Sequence, residues 1–465
     1  MNKKLVSTFL ALAMALTLVG CGQKNAAQPA ATNTGSEPAP ASGTTEPKSE
    51  PQPDNAVWSY TLTTENTEGE YKNDDGVLLA TVSCERPVLS LSCEGGAQNA
   101  EPPKDMQKVC DVFNRGIDEV AGDMPTAESL GADAQLQYNE MPEEYRESFY
   151  GYSEELAVES TRISGSLLET MFSSYGYWGG AHGGMSYINL HFDLETGSFF
   201  GLADLTDNYE GLKKMLADDI INQIYEGGEN EYLFDDFEDT VRNSDDYNFS
   251  IGEDGITVIF GQYELAAYVY GILEYQISDG KLSRFLNERG ERLLAPSPEA
   301  KVLGNFYEAD EMWYWFEGLV PTDYNDKKTA QVNGEDMIYY HVDLPGINSI
   351  GDLRNKMLTR LSEELVEARL ASSGTEAVYP LFKDIDGGLY MLPAGRGTDM
   401  YIDSVDYVAK LNADGKGGNV IATITWRDYD EEKSEWVLTG EKSDVEFPFE
   451  LTDGGAVFSG FSTIW

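Results

Sequence analysis

The chain has 465 residues, 41% of them hydrophobic, with 81 acidic side chains against 32 basic and a net charge of −49. Its length allows about two or three folded domains, and its charge makes nucleic acid and anionic lipid headgroups poor partners while drawing in a strongly cationic one. Acidity also keeps an exported protein soluble, so charge by itself assigns no site.

The N-terminus reads as a secretion signal. Lys3 and Lys4 precede an apolar run, Leu5 to Val19, too short to span a bilayer. The run ends in Leu18-Val19-Gly20-Cys21, which resembles the lipobox of bacterial lipoproteins. That resemblance implies cleavage after Gly20 and a diacylated Cys21, which tethers the chain to the outer face of the cell membrane. Residues 22–57 are rich in Pro, Ala, Ser and Thr and hold no aromatic residue, the composition of a disordered spacer. No later stretch has the length and apolarity of a membrane-spanning helix.

Globular composition begins at Trp58, and a first α+β domain is expected over 58–290. Trp58 to Leu62 and Val77 to Val82 alternate as strands, with Asp74-Asp75-Gly76 as the hairpin turn. Cys84 and Cys93 flank Arg86-Pro87 in what reads as two strands. They are the candidate disulfide pair, which leaves Cys110 free or paired elsewhere. Met106, Val109, Cys110, Phe113 and Ile117 recur at helical spacing and predict a buried stripe. The most distinctive segment is Tyr175 to Leu205. Clustered glycines at 179–184 predict a tight loop beside aromatic residues, followed by a strand and a turn at Asp193 to Gly197. Its candidate binding residues are Tyr177, Trp178, Gly180, His182 and Gly183.

Gly179-Gly180-Ala181-His182-Gly183, the 193–197 turn, and Tyr263-Glu264-Leu265-Ala266 before Gly271 together resemble the extracellular (RsiV-like) domain of sigma-V-type anti-sigma factors. The likeness covers about 100–290. It implies binding of lysozyme, a basic enzyme that attacks peptidoglycan. The chain departs from those factors in showing neither a cytoplasmic anti-sigma segment nor a span, so their signalling route is not expected. His182, His191 and His341 are the only histidines, which leaves few candidates for a His-based triad. His182 is read as a structural residue bonding the glycine loop, and His191 as lying on the exposed face of its strand.

Ala295-Pro296-Ser297-Pro298 reads as a boundary before a second α+β domain, 296–465. Trp313 to Phe316 forms an aromatic stripe that is either core or an exposed platform. Ser349 caps one helix carrying Ile350, Leu353, Met357, Leu361 and Leu365, and antiparallel strands follow. Tyr339-Tyr340-x-Val342, that helix, Leu389-Tyr390, Gly395-Arg396-Gly397 and Gly455-x-Val457-Phe458 are similar to the IseA family. The likeness spans about 305–463 and implies inhibition of D,L-endopeptidases, with Arg396 as a candidate contact and a simple turn as its competing reading. Asp- and Gly-rich stretches at 384–387 and 412–418 lack the spacing of a calcium loop and read as hairpin turns.

The sequence therefore points to a surface-tethered, acidic binding protein whose partner is a basic cell-wall hydrolase, with no cofactor, no metal site and no catalytic residue assigned. The alternatives are an enzyme acting on peptidoglycan and a passive envelope lipoprotein. Neither a nucleophile elbow nor a metal motif supports the first of these.

Overall fold

A computed structural model describes residues 57–95, 101–371, 379–393, 399–430 and 433–464. Cys21 and the lipobox, the spacer up to residue 56, and Arg396 with its flanking glycines lie outside the described residues. The fold is α+β, with mostly antiparallel sheets. Contacts divide the chain into two compact units. One holds the described residues up to Leu205 with Ile220–Ser250 and Val258–Tyr275, and the other holds Thr206–Asp219, Ile251–Thr257 and Gln276 onward.

The first unit is built on a six-stranded sheet of β1 (Val57–Lys72), β2 (Leu78–Glu94), β3 (Tyr152–Ser164), β4 (Leu167–Tyr177), β5 (Gly184–Asp193) and β6 (Ser198–Phe200), in that spatial order. The β1–β2 turn falls where the sequence predicts it. Gly76 takes φ +81°, and the Asn73 carboxamide oxygen accepts from the amides of Asp75 and Val77. β2 and β3 run parallel, so a crossover must join them. The crossover contains α1 (Lys104–Gly122) and α2 (Ala127–Glu140). The stripe predicted on α1 is present: Cys110, Phe113 and Ile117 are buried against Leu89, Leu156, Leu168, Phe172 and Phe192. The turn after β5 is closed by Asp193, whose carboxylate accepts from the Glu195 amide and the Thr196 hydroxyl.

Two expectations are corrected here. Cys84 and Cys93 do not flank a turn but lie on one continuous strand, β2, and all three described cysteines are free thiols. Nine residues of extended chain separate them by roughly 30 Å, beyond any disulfide. His191 is buried, only 3% exposed, because the C-terminal half of β5 is covered on both faces: Phe192 belongs to the α1 core, and the His191 ring stacks on Phe249 at 4.1 Å.

After β6 come α3 (Tyr209–Glu226), α4 (Phe237–Arg242) and a three-stranded sheet of β7 (Phe249–Ile251), β8 (Gly255–Phe260) and β9 (Leu273–Ser278). Then follow α5 (Asp279–Ser283), α6 (Glu288–Leu294) and α7 (Pro298–Tyr314). Ser297 caps α7, with Pro298 in its first turn, where a missing N–H costs nothing.

Two four-stranded sheets complete the second unit. One orders β10 (Thr322–Val332), β11 (Glu335–Val342), β13 (Gly388–Met391) and β12 (Phe382–Ile385). The other orders β14 (Ile402–Leu411), β15 (Gly417–Asp430), β16 (Glu435–Thr452) and β17 (Gly455–Phe458). Phe306 of α7 is fully buried among Tyr407, Phe447, Phe458 and Phe461, with ring centroids 5.0–5.6 Å away. Trp313, Trp315 and Phe316 are buried too, so the aromatic stripe is core and not a platform. The single helix expected after Ser349 is two, α8 (Ile350–Met357) and α9 (Glu363–Arg369). The break is made by Arg360 to Ser362, which pair their backbone with Phe458, and by Ser362, which caps α9. Asp386-Gly387 forms the two-residue β12–β13 turn with both φ angles positive, as 384–387 was read.

Candidate functional site

The site lies within the first unit, where two loops meet. The first is the glycine loop joining β4 to β5, with Gly179 at φ +77° and Gly180 at φ +114°. Gly183 is buried beneath Tyr175, whose hydroxyl would lie 2.4 Å from a Cβ there, so a larger residue would have to push that ring aside. The Tyr177 hydroxyl donates to the Gly180 carbonyl at 3.1 Å. His182 Nδ1 lies 2.9 Å from the Gly183 carbonyl oxygen. A carbonyl only accepts, so Nδ1 carries a proton, and Nε2 lies 3.3 Å from the Tyr263 hydroxyl.

The second loop runs from Gly261 to Gly271. Gln262 ties it to the first by accepting from the Met185 amide at 2.9 Å. Tyr268 stacks flat on His182, centroids 3.7 Å apart and planes 17° off parallel, and Tyr270 stacks on Tyr232 at 4.3 Å. Tyr263 has a left-handed backbone, φ +67°, which is unusual for a bulky residue and costs of order 1–3 kcal/mol. Its ring is 44% exposed, and Val269, Tyr270, Trp178, Met185 and Phe234 are exposed with it. Tyr263 packs against His182 and Tyr268, and Tyr270 stacks on Tyr232, so Tyr263, Tyr268 and Tyr270 form an aromatic face held by stacking. Of the nearby carboxylates, Glu264 in the second loop accepts from the Gly261 amide at 2.7 Å, and Glu229, in a short turn at 229–231, accepts from the Tyr275 hydroxyl at 2.9 Å.

Trp178 has a specific seat. Glu154 of β3 sits opposite Gly176 of β4, and a Cβ at Gly176 would lie 2.6 Å from the Trp178 ring and 3.2 Å from a Glu154 oxygen. The missing side chain lets the indole fold back and hydrogen-bond the Glu154 carboxyl. Burial pushes that carboxyl up to about 7, and the indole N–H partly offsets the rise.

Trp178, Gly180, His182 and Gly183 therefore fall in one loop, with Tyr177 ending the strand that leads into it. His182 bonds a backbone carbonyl, as the structural reading has it, and also joins the tyrosine stack. Arg396 lies outside the described residues. Sequence reasoning did not single out Tyr268, Tyr270 or Tyr232. For Tyr268 and Tyr270 the sequence signal is the density of tyrosines in 263–275, which does not say what they pack against.

No curated protein matches the chain. Residues 203–279 match a family described as a protein of unknown function, DUF3298, a segment that includes the second loop but not the glycine loop. A crystal structure of a DUF3298 member from Bacteroides fragilis aligns with 16% identity and a TM-score of 0.36, over 51% of this chain and 97% of that one. A DUF3298 protein from Pseudomonas aeruginosa aligns with 17% identity and a TM-score of 0.30, over 49% and 95%. What the comparisons establish is similarity to DUF3298 proteins, carried in sequence by residues 203–279.

Proposed function

We propose that this chain is an exported lipoprotein, anchored through Cys21 to the outer face of a cell membrane, that binds a basic cell-wall hydrolase such as lysozyme or a D,L-endopeptidase and restrains it without catalysing a reaction. The observation that carries the reading is the exposed Tyr263 ring, held by a strained left-handed backbone against His182 and Tyr268. Strain of this kind persists where the surroundings over-determine it, and such residues cluster at ligand clamps. Rigid tyrosine and tryptophan rings are the side chains that dominate protein interfaces, because they bury large area at small entropic cost. The negative charge of the chain favours a basic partner and speeds its arrival. The resemblance of 305–463 to the IseA family supports an endopeptidase as a second target.

Calorimetry of residues 58–465 against lysozyme and against a D,L-endopeptidase tests the reading. Binding that weakens steeply with added salt is expected for at least one of them. Absence of heat with both enzymes at low salt ends it. Anchoring is tested separately, by incorporation of labelled palmitate in the parent chain and its loss in Cys21→Ser.

A further inference from the structure

Beside the aromatic face, the first unit has a pocket of about 380 Å³ walled by Asn243, Asp246 and Tyr247 on one side and Ile259, Phe260 and Glu264 on the other. Its frame is locked by its own side chains. The Tyr247 hydroxyl donates to the Val241 carbonyl at 2.7 Å, and the Ser244 hydroxyl to the Asp246 carbonyl at 2.8 Å. The Asn248 amide donates to the Tyr187 carbonyl at 3.0 Å, while its oxygen accepts from both amides of Asn189. A pocket framed in this way needs little ordering when it is filled.

Its chemistry is anionic. Among the described residues neither Asp246 nor Glu264 forms a salt bridge with a lysine or arginine. Burial pushes the Asp246 carboxyl up, the Tyr247 amide and His191 pull it back, and Asp204 adds to the rise. An external cation would relieve this cost by restoring the charged form with a partner. Ile259 and Phe260, both buried, give the apolar floor along which the methylenes of a long basic side chain lie. The volume sits at the small end of ligand pockets, too small for a loop of protein and ample for one side chain. Glu264 directly follows Tyr263, so the pocket and the aromatic face share one loop.

We propose that this pocket receives an arginine or lysine side chain of the basic protein that docks on the aromatic face. The proposal rests on the docking reading above and adds to it a specific acceptor for one cation of the partner. A planar guanidinium presents its donors in a fork that matches a carboxylate, which an ammonium does not, so arginine is the preferred occupant.

Two measurements on the mature chain test it. In the first, n-butylguanidinium, n-butylammonium and n-butanol are added at matched ionic strength and hydrogen exchange is followed by mass spectrometry. Slower exchange over 240–248 and 258–265 is expected with the cations and not with the alcohol, and it should vanish in Asp246→Asn. Equal protection by butanol, or none by either cation, overturns the proposal. In the second, lysozyme serves as the basic probe protein in calorimetry. Asp246→Asn should weaken it about thirtyfold or more, the loss expected when one member of a buried charge pair is removed, and Glu264→Gln, at a more exposed side chain, should weaken it by less. Asp453→Asn, an equal charge change in the other unit, should stay within about twofold, as a screened distant charge does. If both pocket variants bind as tightly as the parent, the pocket assignment fails while docking stands. If the parent chain binds no lysozyme, docking fails and the proposed occupant with it, whatever the small cations show.

Discussion

Glu169 and His191 face each other across β4 and β5, with a carboxylate oxygen 3.3 Å from the imidazole Nε2 and both side chains less than a tenth exposed. The same row continues to Arg162 on β3, whose Nε donates to the other oxygen of Glu169 at 2.8 Å, and to Phe200 on β6. Glu169 and His191 are buried while Arg162 is 43% exposed, so removing the carboxylate leaves the imidazole without its neighbour and returns the guanidinium to solvent. Glu169→Ala should therefore lower stability by about 1–3 kcal/mol in urea unfolding, the cost of leaving a buried polar group without its partner. A loss under about 1 kcal/mol, the scale of an exposed pair, shows that the row contributes little.

A pH dependence follows from Glu154. Its folded carboxyl titrates near 7 against an ordinary value of 4.5, with burial as the chief cause. Between those values the unfolded chain has released the proton and the folded chain still holds it, so stability falls as pH rises through the window. Below about 4.5 both states are protonated and the penalty is absent; above about 7 it is complete. Glu154→Gln removes the titration, so the variant should gain on the parent as pH rises from about 4.5 to 7 in parallel thermal melts. Melting-point differences that stay flat across this range contradict the assignment.

Gly116 gives a packing test. It lies on the buried face of α1, and an added Cβ would meet the Phe199 ring at 2.3 and 2.5 Å. Phe199 cannot easily retreat, because it packs on Phe192 at 4.9 Å and Phe113 at 6.0 Å. Gly116→Ala gains up to about 1 kcal/mol of helix propensity but incurs about 1–3 kcal/mol of overpacking. A net loss is expected in denaturant unfolding, recovered in part by adding Phe199→Leu. A gain in stability from the single change shows that the ring moves freely.

What the sequence made legible was local. The α1 stripe is readable because one face is buried, so its apolar residues repeat at helical spacing. The turns at 74–76 and 386–387 are readable because only Gly, Asn and Asp take positive φ at low cost. Pro87 misled because a proline argues against a strand interior. Here it lies beyond the stretch where β2 pairs with β3, Ala80 to Cys84, so one side of the strand has no ladder to interrupt. His191 misled because alternation assumes one covered face, and the second cover, Phe249, is remote in sequence. The glycine loop was visible by its composition, but its stacking partner Tyr268 and the left-handed backbone of Tyr263 belong to a loop about 80 residues later. No local pattern records such a meeting.

Tyr263 separates folding from binding most cleanly. Its ring is half in solvent, so removing it opens no core cavity, and a glycine adopts φ +67° without strain. Relief of that strain, of order 1–3 kcal/mol, opposes the extra backbone freedom that glycine has when unfolded, about 1 kcal/mol. Tyr263→Gly should thus leave the melting temperature close to the parent's or raise it. If the ring is an anchor of the docking face, the same variant should lose at least about 2 kcal/mol of binding to its basic partner, the scale of an interface hot spot. Thermal melts and calorimetry on one preparation read both quantities. Unchanged affinity with unchanged stability would remove Tyr263 from the interface, because the strained backbone would then present nothing that a partner uses.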